Sequence, residues 1–267
     1  MNASPTATSG SLWPAMRGLF RSRQHLIPFL VAISLVDALT IVAIAAAIGQ
    51  LDSFSELARA IFHDLETTSD AVGEAGDGNA WAVVALAGGA VVAAVVAAWL
   101  RAGYLIGFGG GEATLRPPLR YVLRLAVLTL ATAVLAMAWA TMLENDLPVP
   151  AIAMFLVLAV ATLYADYAIV FEDAPVVTGL VRSFEVVRAT ATRTLLVWFV
   201  LFLLGNVLYG VFRGGFEDGS SVQPTYLVAW ILLGSLLQYL TDVGLVAVYS
   251  LAPVPPRSTP QAPVDDL

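Results

Sequence analysis

Residues 163–193 read LYADYAIVFEDAPVVTGLVRSFEVVRATATR. The first part closes an apolar run and carries an aspartate, Asp166, just inside it. Asp173 and Pro175 then prepare a helix start, since aspartate caps free N–H groups and proline is tolerated in a first turn. From Pro175 to Thr190, the residues Val176, Val177, Leu180, Val181, Phe184 and Val187 recur at helical spacing. Arg182, Glu185 and Arg188 face away from that stripe, at a spacing that allows i,i+3 pairs. A short amphipathic helix between two apolar runs belongs at a membrane interface. The segment reads either as a connector that covers the bundle's inner end or, with Arg182, Glu185 and Arg188 facing away from the stripe, as a candidate docking surface on the inner face.

Working outward, the chain holds six apolar runs of spanning length, about 20 residues each. They lie at about 27–48, 80–108, 121–143, 149–171, 195–212 and 226–250. Residues 1–26 form a polar segment ahead of this six-helix membrane domain (27–251), and 252–267 form a proline-rich tail. The first run has small residues at Ala45 to Ala47, as a cleaved leader would. It is longer than a signal core of roughly 7–15 residues and carries Asp37, so it is read as an uncleaved span. Backbone groups cannot stay unpaired in lipid, so the runs must be helices, and the fold class is an all-α integral membrane protein.

Composition agrees. The chain is 59% hydrophobic and 12% charged, with a mean hydropathy of +0.82. A soluble domain is nearer half apolar and a quarter charged, so lipid must be the solvent for much of this surface. With no cysteine, disulfides and thiolate chemistry are excluded. His25 and His63 are too few for a zinc site, and no cofactor is expected. All basic residues are arginine, read as genome bias, and the net charge of −7 speaks against a nucleic-acid partner.

Arginine placement orients the spans. With the N-terminus inside, eleven arginines (Arg17, Arg21, Arg23, Arg101, Arg116, Arg120, Arg124, Arg182, Arg188, Arg193 and Arg257) lie inside and two, Arg59 and Arg213, outside. That asymmetry places both termini in the cytoplasm of a cell membrane. On the outer side, Ser53 to Glu66 puts Phe54, Leu57, Ala58, Ile61, Phe62 and Leu65 on one helical face, with Ser53 and Glu56 spaced as a capping box. Thr67 to Asn79, acidic and glycine-containing, reads as a loop.

Three aspartates fall within the apolar runs: Asp37, Asp166 and Asp242. Such residues usually face the bundle interior or water, and here they are a candidate intramembrane polar site open to the cytoplasm. The alternative is that each is satisfied by a neighbouring helix, with Arg101, Arg124, Arg193, Ser34, Thr40, Asn206, Ser235 and Gln238 as partners. Gly103, Gly107 and Gly111 recur every four residues, a face for close packing, and Gly109 to Gly111 mark a helix end. Span 2, rich in small residues, reads as a packed central helix. Ala102-Gly103-Tyr104-Leu105-Ile106-Gly107-Phe108 and Ala165-Asp166-Tyr167-Ala168-Ile169-Val170-Phe171 agree at Ala, Tyr, Ile and Phe, and Thr241-Asp242-Val243 stands at a comparable place. The pattern is that of three helical hairpins in parallel repetition.

Tyr167 to Glu172 followed by Val177 to Arg188, with Arg182-Ser183 and Val187-Arg188, resembles uncharacterised six-span prokaryotic membrane proteins. These are similar to the membrane domain that precedes some glycerophosphodiester phosphodiesterases. Ala102 to Leu125, with Gly111-Glu112 before an arginine-bearing helix, resembles the family's earlier inner connection. The resemblance implies an all-helical bundle and no activity, since the phosphodiesterase domain is not in this sequence. No catalytic motif is present: His-Glu-x-x-His, Gly-x-Ser-x-Gly and the paired Gly-Asp of intramembrane proteases are all missing. The expectation is a membrane-embedded accessory or scaffold protein, not an enzyme, partnered by the lipid bilayer and by a membrane or cytoplasmic protein. The alternative is a small proton- or cation-coupled transporter or channel using the aspartates, and the third reading is a lipid-handling membrane enzyme.

Overall fold

The computed structural model describes residues 11–49, 53–62, 70–71, 73–144, 147–217 and 223–253. Its regular elements are α1 (Leu12–Arg23), a 3-10 turn (Gln24–Leu26), α2 (Ile27–Ala47), α3 (Phe54–Phe62), α4 (Ala80–Phe108), α5 (Leu119–Glu144), α6 (Pro148–Thr162), α7 (Ala165–Phe171), α8 (Val176–Glu217) and α9 (Pro224–Ser250). Six helical stretches are long and apolar enough to cross a membrane, and the chain is a multi-pass, all-α membrane protein. Helix α4 packs on α2 and α5, α6 joins α5 to α8, and α9 closes the circuit between α8 and α2. The short α7 packs on α4, α5 and α8, inside one end of this six-helix ring. That end gathers most of the arginines.

The core sits at the arginine-rich end. Leu26, Leu30, Tyr104, Leu105, Phe108, Tyr164, Tyr167, Ile169, Tyr239, Val243 and Val248 belong to one buried cluster. A smaller cluster at the other end seats α3 on the ends of α8 and α9, through Ala58, Phe62, Phe212 and Phe216 with Trp230 packed against them. The capping box forms as expected: the Ser53 amide donates to Glu56 and the Glu56 amide to the Ser53 hydroxyl. Leu65 and Glu66 lie outside the described residues. Residues 70–71 and 73–76 are helical, so the expected loop after α3 is partly ordered as helix.

Three elements differ from the sequence expectation. Leu12–Arg23, expected as part of a polar tail, is a helix laid against α9. Its leucines, Met16 and Phe20 pack on the main core. The central helix is α9, with half of its most apolar window buried against 11% for α4, which was expected to be central. Small residues let α4 approach its neighbours, but its Trp81, Val84, Val92 and Trp99 face outward. Finally, the amphipathic segment is continuous with the span that follows it, in α8, bent at the non-helical Thr190 (φ −126°, ψ 22°).

The facing of that segment is split: Val176, Leu180 and Val187 pack on the core, while the rest of the stripe does not. Arg182 is 3% exposed, whereas Val177 and Phe184 are exposed at 72% and 43%. Gly179, Arg182, Ser183, Val186 and Thr190 form its buried face. The physical reason is that Arg182 finds Glu172 and Glu185 on the buried side, so the helix turns that charge inward and leaves only the Val177, Val181 and Phe184 part of its stripe outside. The outward docking surface of Arg182, Glu185 and Arg188 is therefore not formed as expected: Arg188 is exposed, Glu185 half-buried and Arg182 buried.

Candidate functional site

Gly103 and Gly107 set the geometry of the site. A Cβ on Gly103 would stand 2.0 Å from the Thr114 carbonyl oxygen, and one on Gly107 2.8 Å from Ala113 and Leu26. The chain after α4 folds back on this glycine face. Helix α4 stops in a Schellman turn, with Gly110 at φ +101° and bonds from Gly111 N to Ile106 O and Gly110 N to Gly107 O. The repeat seen in the sequence extends here: two residues after Phe171, as Gly110 is two after Phe108, Asp173 takes φ +54°. Arg124 and Arg120 pair with that aspartate at 2.7 and 3.3 Å.

The centre of the site is Arg101, on α4 about 10 Å inward from the helix end at 1.5 Å per residue. Its Nη1 donates to Asp242 Oδ2 at 2.6 Å and its Nη2 to Asp242 Oδ1 at 2.8 Å. Nε and Nη2 donate to Asp166 Oδ2 at 3.0 and 2.6 Å. Asp242 also accepts the hydroxyls of Tyr104 (2.8 Å) and Tyr167 (2.6 Å). These two tyrosines occupy the same position in the two repeats, and Asp166 and Asp242 occupy the position beside it. Both rings lie within cation–π reach of the guanidinium, at 5.1 and 5.8 Å. The Asp242 side chain is 1% exposed, those of Arg101 and Asp166 18% and 19%. One guanidinium against two carboxylates leaves a net negative charge when all three are ionised. The cluster clasps α4, α7 and α9 together.

The clasp accounts for two of the three predicted aspartates. Asp37 is elsewhere. Ser34, one turn before it, bonds Ser235 at 3.0 Å, and Ser235 is seven residues from Asp242 on α9. Counted along both helices at 1.5 Å per residue, Asp37 lies roughly 15 Å from the clasp toward the opposite end. The remaining polar candidates also have other uses. Asn206 bonds the Phe202 carbonyl of its own helix, and Arg124 serves Asp173. Arg193 is exposed.

A second polar cluster lies nearer the arginine-rich end. Glu172 Oε1 accepts from Arg182 Nε and Nη2 (3.0 and 2.9 Å) and from the Tyr249 hydroxyl at 2.5 Å. Ser183, beside Arg182, enters the break between α6 and α7. Its hydroxyl donates to Val160 O at 2.6 Å and accepts from Tyr164 N at 3.0 Å. A hydroxyl thus replaces one i→i−4 bond of the span, which is what bends it.

Sequence reasoning placed Arg101 among three partner candidates without singling it out. The signal was present: an arginine followed by seven more residues of apolar helix needs a carboxylate at its own depth. Among the described residues, no three His, Asp or Glu side chains converge as a metal centre requires. No protein-family model, curated protein or solved structure matches the chain.

Proposed function

We propose that this protein is a small proton- or cation-coupled transporter or channel of a cell membrane, with its arginine-rich end and both termini cytoplasmic. One observation carries it: two carboxylates and a guanidinium gathered inside the membrane, where each charged group costs roughly 2.5–3.5 kcal/mol on insertion scales. An apolar seam would hold three helices without that cost. Asp166 and Asp242 are the ion-binding groups. Arg101 is a tethered cation standing where a travelling cation or proton would bind. Its withdrawal opens the path and its return closes it.

The scaffold reading rested on an outward charged face that the buried Arg182 interrupts. The sequence resemblance to six-span membrane proteins implies no activity and so leaves the transport reading open. The test is flux. Purified protein in proteoliposomes should dissipate an imposed proton or monovalent-cation gradient, and Asp166→Asn and Asp242→Asn should lose that activity while eluting as folded protein. Flux no greater than in protein-free vesicles, for protons and for sodium and potassium ions, would overturn it.

A further inference from the structure

The interior of the ring has an unequal filling. On α9, Ser235, Gln238 and Asp242 share one face, at i, i+3 and i+7. Ser235 and Asp242 are fully buried against α2 and α4. Gln238 lies between them on that same face and is exposed. On α2, Ser34 meets α9 through Ser235, and Thr40 meets α4, its methyl 3.5 Å from the place of a Gly89 Cβ. Asp37 falls between these two directions, three residues from each, so it points into the ring between α4 and α9. It too is exposed. The opposite side of α2 is the lipid face, with Leu35 at 46% and Leu39 at 67%.

Two inward positions on facing helices are thus exposed, whereas deeper in, one turn beyond Gln238 and roughly 15 Å beyond Asp37, the Arg101–Asp166–Asp242 clasp is closed. We infer that the ring encloses a water-filled vestibule entered from the end away from the arginines, lined by Asp37 and Gln238 and floored by the clasp. Among the described residues, its charged groups are a carboxylate on the wall and a net negative floor. The class of ligand it admits is a small hydrated cation, and anions are repelled. This rests on the transport reading for its purpose and gives that reading a side of entry and a sign of charge.

The absence of native cysteine makes the test direct. Q238C is expected to react in vesicles exposing the end away from the arginines, and a cationic methanethiosulfonate should react about tenfold faster than an anionic one, the scale of electrostatic focusing in a charged cleft. D37N in the Q238C background should bring that ratio down toward the value for a free thiol. L39C, facing lipid, is the slow control. If Q238C misfolds, I231C, two turns further out on the same face, replaces it. Labelling no faster than L39C in folded protein would mean a packed interior and overturn the vestibule. Equal rates for both reagents, or a ratio unchanged by D37N, would overturn its preference for cations. Labelling without flux would sink the transport reading and leave the vestibule standing, and flux without labelling would do the reverse.

Discussion

At the scale of residues, Asp242 has the most to lose. It accepts two bonds from Arg101 and one from each of two tyrosines, all in a buried setting. Asp242→Ala would leave Arg101 with Asp166 alone and strand both hydroxyls. Breaking a buried pair from one side costs about 3–5 kcal/mol, so thermal unfolding in detergent should move to markedly lower temperature. Tyr104→Phe and Tyr167→Phe each remove one bond to a charged acceptor, about 1.5–3 kcal/mol. Because both hydroxyls share one carboxylate, the double variant should depart from the sum of the singles. Strict additivity in the same unfolding measurement would mean that the two do not act on a common group.

At the scale of elements, hydroxyls and glycines decide where helices bend and how near they come. Ser183→Ala leaves the Tyr164 amide and the Val160 carbonyl without the group that bridges them. A buried unsatisfied group costs about 1–3 kcal/mol, and the expected result is a loss of that size, partly restored by threonine. Gly103→Ala puts a methyl 2.0 Å from a backbone carbonyl oxygen, so the return segment must move. A cost of about 1–3 kcal/mol is expected from such overpacking, against almost none for Gly88→Ala, where nothing lies within 4 Å. The spans themselves were readable, because an apolar run of fixed length has one physical outcome in lipid. The facing of α8's first turns was not. The moment of the segment is real, but in a membrane the apolar side can turn to lipid as well as to protein, and periodicity alone does not choose. Leu12–Arg23 carried a legible signal, with Leu12, Met16 and Leu19 at i, i+4 and i+7, but its arginines and short length hid it, and its seat on α9 is a tertiary fact.

At the scale of the whole molecule, the bundle is a ring held shut at one end. The sequence named the three aspartates but not which of them meet, because depth along separate helices says nothing about facing. The weak repeat held that information: the matched positions Tyr104 and Tyr167 both reach Asp242, and the residue beside the second tyrosine, Asp166, shares its arginine. Asp37 lies outside the pattern and outside the clasp. If Arg101 is a tethered cation that blocks the path, its removal and the removal of the carboxylates must act in opposite directions on flux. The most direct measurement is therefore the rate of cation-gradient dissipation in proteoliposomes holding Arg101→Gln beside the wild-type protein. A faster rate in folded Arg101→Gln protein is the expected result. An unchanged or slower rate would contradict the role of Arg101 as the plug.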